Sequence, residues 1–294
     1  MVARIKKSFQ IFLLVLLTAS IVALSGCDTG SNSSTVKPSV NDYSWAELAA
    51  IAKEISSMPD LNSALKVAEN YNLCSAGGSL VEEPSKLLVL SDGSQLEVRI
   101  AGFYHDDLES SPNKAGITFM FCNGLSAQPM NDETTNDAGW EGSKLRSWLN
   151  KDGLRMLPEE LQDVMQPVKK LTNNKGQTED AAEVTETSDV LWLFSSVELC
   201  GPIQGWYGDA ADQILSTEGS QYKLFGDAGL NASTTAKAAD VVLVTDYDGQ
   251  PCFWWQRSAD PVTSTSFNAV NEEGLAFNDY VANEPLAVIA GFCL

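Results

Sequence analysis

Apolar residues recur at helical spacing in only a few short stretches of this chain. Trp45, Leu48, Ala49, Ala52 and Ile55 form one stripe, and Ser44 followed by Glu47 supplies the reciprocal cap that starts a helix. After Pro59 a second stripe, Leu61, Leu65, Ala68 and Tyr71, predicts a partner helix. Residues 43–75 therefore read as a short helical hairpin, either a small separate module or a brace for the main domain. Leu145, Trp148 and Leu149 share a face in a later short helix, and Pro158 with two glutamates opens another.

From residue 86 the pattern turns to strands. "KLLVLSDGSQLEVRIAGF" sets Asp92-Gly93 between two β-rich runs, a hairpin signal. "GITFMFCN", "SDVLWLFSS" and the closing "EPLAVIAGFCL" each read as a further strand. After Gly201 the chain reads as loop until "ADVVLVTDYDGQPCFWWQRS", where Asp248-Gly249 turns one strand into the next. No internal repeat is visible. Few helices, mostly antiparallel strands and long connections predict an α+β domain over residues 86–294.

The first residues have a different character. Arg4, Lys6 and Lys7 precede an uncharged apolar run that ends in small residues before Cys27, the order of a secretory signal. Leu24-Ser25-Gly26-Cys27 resembles the bacterial lipobox, which implies a signal peptide over 1–26 and acylation at Cys27. The Ser-, Thr- and Asn-rich stretch 27–42 then reads as a flexible tether. The expected location is the cell membrane, lipid-anchored, on the extracytoplasmic side.

Charge narrows the partners. With 39 acidic against 19 basic residues the net charge is −20, which disfavours nucleic acid and leaves the lipid anchor as the only expected membrane contact. Five cysteines come after Cys27 without a C-x-x-C pair, which lowers zinc and thioredoxin-like chemistry. A disulfide is expected among Cys200, Cys252 and Cys293. The acidic clusters around Asp246, Asp132 and Asp106 lack the spacing of a calcium loop, so neither metal nor cofactor is expected.

"GWEGSKLRSWLN", "LPEELQDVMQPVKKLTNN", "TSDVLWLFSSVELCG", "EGSQYKLF", "WWQRS" and the closing "GFCL" occur in an order that resembles the bacterial domain-of-unknown-function family 6273, from about residue 87 to 294. The resemblance implies no activity. More loosely the chain is similar, at the level of fold, to C-type-lectin-like domains, which also place a Trp-rich strand and an Arg-Ser element before a returning final strand. The calcium-binding tripeptides of the lectins are absent.

This pattern also yields candidate residues. On a strand Trp255 and Arg257 share a face and Trp254 takes the other, so Trp254 is a candidate for ligand contact. Trp140 and Arg146, off the apolar stripe, are candidates too. Trp148, Trp192, Trp255, Arg257 and Glu198 are expected in the core, with Arg257 pairing to a carboxylate such as Glu198. His105, the only histidine, sits in a polar turn where Asp106 and Asp107 favour its charged form. No nucleophile elbow, zincin helix or phosphate loop is present. The expectation is a non-catalytic binding domain for a carbohydrate or protein ligand. The alternatives are a carboxylate-based glycoside hydrolase or a structural envelope component.

Overall fold

A computed structural model describes residues 35–178, 180–232, 243 and 245–294. The signal segment, Cys27 and residues 239–242 of the expected return strand lie outside them. Within them, structure begins ahead of residue 42. Ser39 caps a single 3-10 turn over Val40–Asp42, and the Lys37 ammonium meets Glu47 at 2.6 Å, so the end of the expected tether is folded.

Helix α1 (Trp45–Ser56) starts at the Ser44–Glu47 cap, and α2 (Leu61–Asn70) at Asp60. Strands β1 (Lys86–Val89), β2 (Gln95–Phe103), β3 (Ile117–Phe121) and β4 (Ala127–Gln128) come after the hairpin. Next are α3 (Gly139–Gly142), α4 (Lys144–Trp148), α5 (Leu154–Met156) and α6 (Glu159–Gln162). Strands β5 (Val168–Asn173), β6 (Val184–Asp189) and β7 (Trp192–Leu193) lead into α7 (Ser196–Cys200), α8 (Asp209–Ser216) and α9 (Lys223–Asp227). The chain finishes with β8 (Asp246–Tyr247), β9 (Gln250–Pro251), β10 (Trp254–Ala259), β11 (Ser266–Val270), β12 (Asn278–Val281), β13 (Leu286–Ala287) and β14 (Ala290–Cys293).

Two five-stranded sheets carry the fold, in the orders β1-β2-β3-β14-β7 and β12-β11-β10-β13-β4. All pairings within them are antiparallel except β10 with β13. The fold is α+β, as the element pattern predicts. Two details differ from that pattern. The closing apolar stretch is not one strand: β13 belongs to the second sheet and β14 to the first, so Val288 and Ile289 cross between them. And the stretch after Gly201 holds α8 and α9, short helices whose apolar positions are too few to stand out from loop.

The core joins the sheets to the helical hairpin. The Trp45 ring meets Phe119 edge-on at 5.7 Å and Phe292 at 6.0 Å, while Leu48 and Ile55 are fully buried. Burying such side chains contributes about 1.5–3 kcal/mol each. At Gly116 a Cβ would lie 1.9 Å from the Ala52 carbonyl, so the residue before β3 must lack a side chain for α1 to dock. The hairpin is a brace that shares the main core.

Candidate functional site

β10 is a central strand, and all six of its residues are buried. Trp254 and Trp255 are both inaccessible; their indole N–H groups donate to Leu243 O at 3.0 Å and Gln128 O at 2.8 Å. Trp254 is therefore no surface platform. Strand alternation sends it to the opposite face from Trp255, but that face is covered as well. A register irregularity between Trp255 and Ala259 also breaks the alternation.

Arg257 is fully buried and all of its nitrogens are bonded. Nε donates to Thr172 Oγ1 at 3.0 Å, Nη1 to Leu193 O at 2.9 Å, and Nη2 to Glu218 O at 2.7 Å. Nη1 and Nη2 also take the two carboxylate oxygens of Glu198, at 2.5 and 3.0 Å. Glu198 sits in the first turn of α7, where it closes a reciprocal cap with Ser195.

Lys170 extends the network. Its ammonium donates to Glu198 Oε1 at 3.1 Å, to Tyr222 Oη at 2.6 Å and, by a shorter contact, to Asp106. It lies 4.2 Å over the Trp192 ring, a cation–π contact inside the core. Tyr222 and Thr118 each donate to Asp106 at 2.6 Å. Burial alone would raise the pKa of Asp106 and Glu198. The adjoining cations outweigh it and hold both carboxyls below their ordinary values. Glu218 is the exception. Burial pushes it up to about 7, with Arg257 offsetting only part, and its carboxyl meets Ser258 Oγ and the Asn173 amide rather than a cation.

These groups back onto a cavity of about 210 Å³ that His105 also lines. His105 is not an exposed loop residue. It is half-buried, its ring stacked on Tyr222 at 4.0 Å and 24°. Burial lowers its pKa, outweighing the pull of Asp106 toward the charged form.

Trp140 and Arg146 converge on one carboxylate. The buried Trp140 donates from Nε1 to Asp189 Oδ2 at 3.0 Å, and Arg146 from Nε to Asp189 Oδ1 at 2.6 Å. Arg146 also bonds the carbonyls of Glu141 and Ser188. Both are tied to the scaffold, which removes Trp140 as a ligand-facing ring. Trp148 is half-buried and Trp192 fully buried. Cys200, Cys252 and Cys293 form no bridge: all five cysteines among the described residues are free thiols. Cys293 is instead held against Thr118 at 3.3 Å and Asp106 at 3.4 Å, and Cys252 against Thr245. Among the described residues no group of three His, Cys, Asp or Glu side chains could hold a metal ion, and no helix is long and apolar enough to cross a membrane.

The exposed aromatic surface lies elsewhere. Trp206 is 44% exposed and stacks on Phe277 at 3.9 Å and 14°. Its loop is pinned by the buried Asp212 of α8, whose carboxylate accepts the backbone N–H groups of Gly205 at 2.6 Å, Trp206 at 3.2 Å and Tyr207 at 2.9 Å. Sequence reasoning missed Trp206; its one signal is an aromatic pair set between glycines, "GWYG". Asp189, Lys170 and Tyr222 were missed too, because their partners lie far away in the chain.

No curated protein and no solved structure matches the chain. One family model does, that of the domain of unknown function DUF6273, over residues 107–294. The match starts past β1 and β2, later than the motifs suggest, and takes in β3, both edges of the second sheet, the Arg257–Glu198 pair and the Trp206 loop. It spans well over half of the sequence, and the protein belongs to the DUF6273 family.

Proposed function

We propose that this chain is a surface lipoprotein, acylated at Cys27, whose folded part is a non-catalytic binding module for a carbohydrate or protein ligand on the extracytoplasmic side. The observation that carries the reading is the Trp206–Phe277 stack. One indole face lies on Phe277 and the indole N–H donates to the Ala232 carbonyl, while the residue stays 44% exposed. A flat ring of this kind offers a large contact area, and the Asp212 bonds fix its loop beforehand, so little ordering is lost when a ligand arrives. A pyranose ring is the ligand group best matched to such a platform. The fold-level kinship with C-type-lectin-like domains is part of the same proposal. A last strand that returns to the middle of the first sheet supports it.

The opposite pKa shifts of Glu198 and Glu218 beside one cavity favour the glycoside hydrolase reading. Against it, the oxygens of Glu198 are engaged by Arg257, Lys170 and the Ser195 amide, and those of Glu218 by Ser258 and Asn173. Neither carboxyl is left to face a substrate.

The test is a binding screen of the detergent-solubilised chain against glycans, cell-wall fragments and envelope proteins. A ligand whose binding is lost in Trp206→Ala, with the unfolding midpoint unchanged, supports the module. Binding that survives Trp206→Ala, or turnover of any glycoside in the screen, refutes it. Mass spectrometry of the Cys27 peptide decides the anchor separately.

A further inference from the structure

We propose that the cavity under His105 is a second ligand site, separate from the Trp206 platform, and that it receives a primary ammonium group. The cavity of about 210 Å³ has room for about seven waters, the size of a short aminoalkyl chain. His105 is placed there by structure rather than by chance. Tyr104 before it holds φ at 51°, a left-handed conformation that a bulky residue adopts at a cost of about 1 kcal/mol or more. The ring is wedged against Tyr222, yet among the described residues neither nitrogen makes a hydrogen bond. A neutral imidazole so placed presents one open acceptor and one open donor.

The charges around it select the sign of the ligand. Every lysine lining the cavity already has a carboxylate: Lys114 meets Asp107 at 2.7 Å, Lys169 meets Glu186 at 3.3 Å, and Lys170 lies between Asp106 and Glu198. The lining carries five carboxyl side chains, Asp106, Asp107, Glu186, Glu198 and Glu218, against these three lysines, an excess that favours a cation. Carboxylate capacity remains. Asp107 and Glu186 each spend one oxygen on a lysine and leave Asp107 Oδ2 and Glu186 Oε2 open. An ammonium in the cavity has three donors for these oxygens and for the imidazole lone pair.

His105 is the only histidine in the chain, so its imidazole resonances report on the site without assignment of the rest. The full chain is titrated with cadaverine, and with 1-butanol, acetate and phosphate as controls, while those resonances are monitored by NMR. A saturable shift with cadaverine alone is the expected result. The rim variant Asp107→Asn with Glu186→Gln alters two half-exposed side chains, so its fold is preserved, and weakens cadaverine binding by roughly tenfold. Trp206→Ala leaves it unchanged. No saturable shift with cadaverine, an equal shift with butanol, a shift with acetate or phosphate instead, or full affinity in the rim variant overturns the proposal.

Discussion

Arg257 of β10 grips Glu198 of α7 with two nitrogens on two oxygens, at 2.5 and 3.0 Å, and neither group reaches solvent. The pair joins the central strand of the second sheet to the helix directly after the edge strand of the first. Glu198 also bonds Lys170, and Lys170 bonds Asp106 and Tyr222, so one chain of charge runs from β10 to the turn after β2. Buried charges are costly unless paired and hydrogen-bonded, and here each has several partners.

Removing one member leaves the others buried and uncompensated. Arg257→Ala is expected to lower stability by about 3–5 kcal/mol. The double replacement Arg257→Met with Glu198→Leu is expected to cost clearly less than the two single changes added together. Urea unfolding of the four species measures both. Additive losses would mean that the two side chains act independently.

Glu218 gives the pH dependence a sign. Its folded value of about 7 lies above the 4.5 of an unfolded glutamate, so the folded chain binds this proton more tightly. The resulting stability is complete below pH 4.5 and is lost as the pH rises through 7, on the order of 3 kcal/mol in all. Asp106 and Glu198 act oppositely: held below their ordinary values, they stabilise above that range and lose their contribution in acid. Glu218→Gln should therefore flatten the stability profile between pH 4.5 and 7 and leave the acid limb intact. Unfolding midpoints across that range test it, and a variant whose profile still falls in parallel with the wild type places the titrating group elsewhere.

The cysteines predict a thiol count. Burial pushes the thiols of Cys74, Cys122 and Cys200 up to about 12, so they hold almost no thiolate at neutral pH. Thiol reagents should leave them unmodified in the folded chain, and after denaturation without reductant all five cysteines beyond Cys27 should react. A count of three would establish a disulfide.

The sequence was legible where neighbours in the chain decide the outcome. The cap of Ser44 with Glu47 spans four residues and formed as its spacing implies. Asp248 and Gly249 both adopt positive φ, at 55° and 77°, as a two-residue hairpin turn requires. The site was less legible. An arginine on the aromatic face of a strand needs a carboxylate, and that need pointed from Arg257 to Glu198 across 59 residues. The partners of Lys170 sit 28 to 64 residues away and that of Trp140 49 residues away, and nothing local points to any of them.

The amino-acid order alone settled the family, the α+β class, the starts of the helical hairpin and the tight turns, whereas α8 and α9, with few apolar positions, emerged only in the structure. Which aromatic ring is wet was left to the tertiary structure. Trp254 and Trp206 are the same residue type, each beside a second aromatic residue. One is sealed because elements from distant parts of the chain, among them α3, β5 and β7, pack against β10; the other lies on a loop that Asp212 bonds and stays 44% exposed. Exposure is set by what the rest of the molecule covers, and no local pattern encodes that.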